Sequence, residues 1–162
     1  MENMWAPWRM EYILSQKPKG CIFCEKPKQN RDRDNLILFR GQTCFVILNF
    51  YPYNNGHLMI VPYHHIATLE QLALNERAEL MSLLTKSSEC LKSSMHPDGL
   101  NIGMNLGKVA GAGIDDHLHF HIVPRWNGDT NFMPVLGHTK VQAQALYETW
   151  DMLKAHFDEK TD

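Results

Sequence analysis

The sequence predicts one α+β domain in which five short antiparallel strands pack with two main helices. Three observations lead there. At 162 residues the chain can bury one good core but is too short for two comfortable ones. Hydrophobic residues make up 44% and charged residues 21%, which excludes a disordered or fibrous chain. The apolar residues fall mostly in short runs bounded by Gly, Pro and Asn, with helical spacing confined to one long central segment and the C-terminal end.

Residues 1–20 mix aromatics with Pro7, Pro18 and Gly20, and read as an arm packing on the body through Trp5, Trp8 and Tyr12. Residues 25–35 carry Lys26-Pro27-Lys28 and Arg31-Asp32-Arg33-Asp34, the pattern of a solvated connection. Strands over 36–40 and 44–49 flank Gly41-Gln42, a hairpin turn. A third strand over 57–62 is entered through Asn54-Asn55-Gly56 and ended by Pro62. Asn75 reads as a helix N-cap with Glu76 in the first turn. Leu80, Leu84, Leu91 and Met95 recur at helical spacing, so a helix is expected over 75–95, stopped by Pro97-Asp98-Gly99. Two further strands, 100–105 and 118–123, enclose a glycine-rich loop. Val141, Ala145, Trp150, Leu153 and Phe157 then mark a second helix.

Sixteen Lys and Arg against 18 Asp and Glu give a formal charge of −2, too little positive charge to grip a nucleic-acid polymer. No run approaches the ~20 apolar residues of a membrane span. Glu2 comes early and no apolar core follows it, so no export signal is expected, and the reducing cytoplasm is the default location. In that setting Cys21 and Cys24, spaced C-x-x-C, read as a zinc half-site, a redox pair or two buried thiols. The absence of a surrounding βαβ pattern weakens the redox reading. Cys44 on a strand and Cys90 on the long helix are expected to be buried and unreactive.

The chain has nine histidines, and His117, His119 and His121 alternate with Leu118, Phe120 and Ile122. Strand geometry puts the three imidazoles on one face and the apolar residues on the other. Such a row would arise by chance about 0.03 times in a chain of this composition. A row of this kind serves either a metal site or anion chemistry, with a neutral imidazole as nucleophile and its neighbours donating to phosphate oxygens. The preceding loop, from Gly107 to Gly113 with Gly111 between, favours phosphate, because glycines let backbone N–H groups approach a ligand and Lys108 adds a cation.

The row followed by Pro124-Arg125 resembles the signature of the histidine triad (HIT) superfamily of nucleotide hydrolases and transferases. Ile47-Leu48-Asn49, the segment Gly56 to Pro62, and His65 agree with it over roughly residues 21–135. Trp8-Arg9, Cys21-Ile22-Phe23-Cys24 and the run Pro124 to Phe132 are similar to a bacterial branch acting on diadenosine tetraphosphate. The resemblance implies a HIT-like five-stranded sheet, doubled to ten strands in a homodimer. It divides the chain into an arm (1–20), a HIT domain (21–135) and a C-terminal helical extension (136–162). It implies cleavage of a nucleotide, of the dinucleoside polyphosphate type, through a covalent nucleotidyl group on His119.

In the same terms His121 and Asn105 hold phosphate oxygens or orient the nucleophile, with His117 completing the triad. Asn49 binds the ribose hydroxyls, and Ile22, Phe23 and Leu48 form the apolar slot for the base. His65 and His117 would complete a structural Zn²⁺ site with Cys21 and Cys24, with His64 the competing neighbour. Taken without the family, Asn49 and Asn105 are ordinary strand-end turn residues, and Asp115 and Asp116 simply lead into the strand. One departure stands out: where relatives often carry Gln, Ser or Thr before the row, this chain has Gly113-Ile114-Asp115-Asp116, so phosphate contacts fall to backbone groups. Water and inorganic phosphate both remain as acceptors, with the branch resemblance tilting toward phosphorolysis. The rivals are a nucleotide-binding interaction module with little turnover and a zinc hydrolase using the histidine row as ligands.

Overall fold

The computed structural model describes residues 20–129 and 144–159. Most of the expected arm, Val141, the motif residues 130–132 and the boundary at 135 lie outside the described residues. Strands β1 (Ile37–Arg40), β2 (Cys44–Leu48), β3 (Leu58–Pro62), β4 (Gly99–Gly103) and β5 (Phe120–Arg125) form one sheet in the order β1-β2-β3-β5-β4. Every neighbouring pair is antiparallel. Helices α1 (Ile22–Glu25) and α2 (Asp32–Asn35) precede the sheet. The long α3 (Leu74–Met95) crosses β2, β3 and β5, and α4 (Leu146–Glu159) packs on β1 and α3.

The central strands β2 and β3 are buried along their whole length, which is why their sequences run apolar without alternation. Ile37, Phe45, Ile60, Leu91, Ile122, Leu153 and Phe157 are sealed from water at 0% exposure, as are Cys44 and Cys90. Trp150 closes one end of this core and donates from Nε1 to the Ile37 carbonyl at 3.2 Å. No described helix is long and apolar enough to cross a membrane.

The long helix and the charged segment add detail that the sequence expectation lacked. Helix α3 begins at Leu74, with Ala73 rather than Asn75 at its cap, because the Glu76 carboxylate accepts the Ala73 backbone N–H at 2.7 Å. The helix ends where His96 turns left-handed at φ +46°, one residue ahead of Pro97. The solvated charge run over 25–35 is largely helical: α1 passes into a 3-10 turn, Lys26–Gln29, and α2 follows. Asn35 is buried there, donating to the Lys26 carbonyl and to Gln29, both at 3.2 Å. Arg40 ties the segment to the sheet through Asp32 at 2.7 Å and the Pro27 carbonyl at 2.9 Å, and Arg33 reaches α4 through a bidentate pair with Asp151 at 2.8 Å. These charges are solvated at their tips while fixing the segment at its base.

Ile60 sits at the centre of the sheet against α3. Ile60→Ala is expected to lower the unfolding free energy by about 3 kcal/mol in urea titrations, with the slope unchanged.

Candidate active site

Strand β5 enters the sheet between β3 and β4, pairing Met59 with His121 and His121 with Gly103. Regular pairing begins at Phe120, later than expected, and just before it the Leu118 N–H donates to the Ile66 carbonyl at 2.6 Å. Leu118 and Ile122 point into the core. The histidines face the other way, but not toward solvent: His117 and His119 are only 1% and 6% exposed. The ring of Phe23 covers them, with centroids 5.5 Å from His117 and 5.1 Å from His119.

Hydrogen bonds assign the protons. Nδ1 of His119 lies 2.8 Å from the His117 carbonyl, which can only accept, so Nδ1 carries the hydrogen and Nε2 keeps a lone pair. Burial, acting against that hydrogen bond, lowers the His119 pKa and favours the neutral ring. A second chain runs through His57, completely buried at 0% exposure. Its Nδ1 receives the Tyr53 backbone N–H at 3.0 Å and lies 3.2 Å from the Asn49 amide nitrogen. Nε2 of His57 therefore holds its hydrogen and donates it to Nδ1 of His121 at 2.9 Å. His121 is left as the Nε2–H tautomer, with burial and then neighbouring His119 pushing its pKa down to about 4. Two neutral imidazoles 4.8 Å apart thus present complementary atoms, one a nucleophilic lone pair and the other a hydrogen-bond donor.

Both rings border a cavity of about 140 Å³. Ile22, Phe23 and Leu48 are among its apolar lining residues, and Asn49, Asn105, Gly111 and Gly113 line it too. The Asn49 carbonyl oxygen accepts the Tyr51 N–H at 3.0 Å, and the Asn105 amide donates to the Gly111 carbonyl at 3.4 Å. A wider cavity of about 470 Å³ continues past Tyr53, Asn105 and His121 toward Arg125, which is held by Asp129 at 2.6 Å and Asn101 at 2.9 Å. The glycine loop differs from expectation. It closes on itself as a 3-10 turn, Lys108–Ala110, and the N–H groups of Ala110, Gly111 and Ala112 donate within the loop. Gly107 and Gly111 permit this with φ of +81° and +92°. Lys108 extends into solvent, 3.8 Å from Asp115, rather than into the cavity.

The second constellation adjoins the first. Donor atoms of Cys21, Cys24, His65 and His117 all lie within 4.8 Å of one another. Cys21 Sγ is 3.2 Å from His117 Nδ1, Cys24 Sγ is 3.3 Å from His65 Nδ1, and the two Nδ1 atoms are 3.2 Å apart. A tetrahedral ion with bonds of about 2.0–2.3 Å would space its ligands by roughly 3.3–3.8 Å, so these residues fit a metal. Nε2 of His117 donates to the Pro62 carbonyl at 2.9 Å, which turns the Nδ1 lone pair toward the cluster, and Asp116 lies 3.9 Å from His65 Nε2. Burial and the adjacent Cys21 push the Cys24 thiol up to about 11, so that thiol is not activated by itself and a cation would favour its ionisation. His64, the alternative ligand, turns away toward Glu76 at 3.5 Å.

Two contributors escaped the sequence reading. His57 was visible only as the start of a strand, and its partner lies 64 positions away. Lys26 was counted with the solvated charges, yet it lines the smaller cavity.

Residues 30–128 match the HIT domain, and the chain belongs to the HIT family. It is 40% identical to an AP-4-A phosphorylase from Mycobacterium tuberculosis, across 94% of this chain and 83% of that protein. An adenosine 5'-monophosphoramidase from Schizosaccharomyces pombe is 29% identical, over 67% of this chain and 76% of its own length. A zinc-bound histidine triad family protein from Mycobacterium smegmatis shares the fold at a TM-score of 0.69 and 24% identity, covering 86% of this chain and 94% of its own.

The tautomer chain predicts that His121, followed by nitrogen-15 NMR, stays neutral with its proton on Nε2 down to about pH 4. His57→Phe, which removes the donor, should scramble that tautomer. A His121 midpoint near the ordinary imidazole value of about 6.5 would contradict the assignment.

Proposed function

We propose that the chain is a nucleotidyl hydrolase or transferase of the dinucleoside polyphosphate type, working through a covalent nucleotidyl group on His119. The observation that carries this reading is the neutral His119 ring, its Nδ1–H held by the His117 carbonyl, beside an apolar slot and the Nε2–H of His121. The 40% identity to a protein named AP-4-A phosphorylase supports the substrate class.

The base enters between Ile22, Phe23 and Leu48, and Asn49 lies where the ribose hydroxyls would reach. Nε2 of His119 attacks the α-phosphorus, forming the N–P bond as the bond to the bridging oxygen breaks and the remaining polyphosphate leaves. His121 donates from Nε2 to a non-bridging oxygen, with Asn105 nearby, countering charge that builds in the transition state. In the second step an oxygen of inorganic phosphate or water attacks the same phosphorus and His119 is regenerated. With diadenosine tetraphosphate the first step releases ATP; phosphate then gives ADP and water gives AMP. We favour phosphate as the acceptor.

Cys21, Cys24, His65 and His117 would hold zinc, which closes all four ligand positions and pins the 21–24 turn against the triad segment. Free, partly buried thiols suit a reducing, cytoplasmic setting. Strand β4 is an exposed sheet edge with Ile102 half exposed, which supports a second copy adding there to make a ten-stranded homodimer. The HIT unit is taken as 21–135, with 136–162 as a helical extension whose α4 seals the core.

Incubation with diadenosine tetraphosphate should yield ATP plus ADP only when phosphate is present; no turnover of any nucleotide would remove the enzymatic reading. His119→Ala should abolish the acid-quenched nucleotidyl adduct in mass spectra and reduce turnover by at least about a thousandfold. Elemental analysis should find about one zinc per chain. Cys24→Ser should lose that metal and melt at least about 5 °C lower.

A further inference from the structure

Beyond His121 the histidine face of β5 continues through Val123 to Arg125. Pairing with β4 sets Gly103 beside His121 and Asn101 beside Val123, so these residues share that face. All five line the larger cavity of about 470 Å³. Its floor is low next to the histidines, because a Cβ on Gly103 would meet nothing within 4 Å. Membership of the two cavities orders the side chains. His119 lines the smaller one, His121, Asn105 and Tyr53 line both, and Arg125 lines the larger. A strand rises about 3.3 Å per residue, so the Arg125 backbone lies roughly 13 Å beyond that of His121.

The Arg125 guanidinium is oriented without being fully engaged. Nε and Nη2 donate to the Asp129 carboxylate at 2.6 and 3.0 Å, and Nη1 donates to Asn101 Oδ1 at 2.9 Å. A guanidinium has five N–H groups, so these bonds leave one hydrogen on each terminal nitrogen for a further acceptor. The Asp129 charge is turned to the guanidinium and is also met by the Asn54 amide at 2.9 Å and the Trp126 N–H at 3.3 Å. Asn54, Asn101 and Asp129 line the same cavity as Arg125, whose side chain stays 48% exposed.

The bridge of a dinucleoside polyphosphate is anionic along its length, yet His119 and His121 are held neutral and Lys108 lies against Asp115. We propose that Arg125 binds the outgoing polyphosphate, making the larger cavity the subsite for the phosphates of the leaving nucleotide. This rests on the reading of His119 as the nucleophile. In-line displacement sends the leaving oxygen away from the attacking atom, and His121 stands where the two cavities meet. Arg125 therefore meets charge beyond the reacting phosphorus, and its planar fork suits phosphate oxygens better than an ammonium does. Asp129 and Asn101 fix the plane of that fork beforehand, so little side-chain freedom is lost on binding.

AMP and ATP separate the two subsites, since both carry adenosine and the α-phosphate and only ATP carries phosphates beyond it. Calorimetric titrations use the full-length protein with His119→Ala, so that neither nucleotide is cleaved. ATP should bind at least about tenfold more tightly than AMP. Adding Arg125→Met should weaken ATP about tenfold and AMP by less than about twofold. Arg125→Lys keeps the charge without the fork, so it should weaken ATP about threefold with AMP unchanged, and it decides the matter if Arg125→Met melts early. Equal weakening of both nucleotides, or undiminished ATP binding, would overturn the assignment while leaving the nucleotide site standing. Failure of the protein with its triad intact to bind AMP would instead remove the nucleotide reading, and this inference with it.

Discussion

The pairing of β3 with β5 is the constraint on which the rest of the site depends. It is a short contact, running from Leu58↔Ile122 to Ile60↔Phe120, between segments far apart in the chain. At one end it seats His57 against His121, and at the other it places the Pro62 carbonyl against His117. Both hydrogen bonds act on tautomers, so strand register becomes proton placement. A slip by one residue would turn every side chain of β5 to the opposite face and drive the histidines into the core. The apolar alternation of Leu118, Phe120 and Ile122 resists that slip, since the same residues that fill the core hold the imidazoles on the other side.

His117 links the two constellations. Its side chain contributes Nδ1 to the Cys/His cluster, and its backbone carbonyl receives the Nδ1–H of His119. Anything that fixes the His117 ring also fixes the peptide that orients its neighbour two residues on. Phe23, sitting between Cys21 and Cys24, packs its ring on both histidines. The short α1 helix and its flanks thus carry both cysteines of the Cys/His cluster, the Phe23 cover over the histidines, and, in Ile22, a residue that lines the smaller cavity.

The electrostatics are local. The chain carries a formal charge of −2, and among the residues lining the smaller cavity Lys26 supplies the fixed positive charge. Burial keeps His119 and His121 neutral, trading long-range attraction for a nucleophilic lone pair and a directed donor. Lys108 and the loop amides, which the sequence offered as an anion nest, are largely engaged elsewhere: Lys108 with Asp115, and three N–H groups with carbonyls of their own turn. A glycine-rich sequence permits a nest but equally permits a self-closed 3-10 turn, and neighbouring contacts decide between them.

The sequence by itself determined the α+β class, the positions of its five strands and the long central helix, because burial on a sheet and along a helix leaves periodicities that a linear reading detects. It also determined the histidine row and the C-x-x-C pair, whose spacing is local. The approach of His65, rather than His64, to Cys24, the hydrogen bonds of His57, and the burial of Lys26 were set only by the tertiary structure. Each depends on a partner brought close by folding: Cys24 for His65, His121 for His57, and Asn35 with the cavity wall for Lys26. Histidine and lysine have several polar fates with nearly the same local signature. Only three-dimensional neighbours, through hydrogen bonds and lost solvent, select one of them.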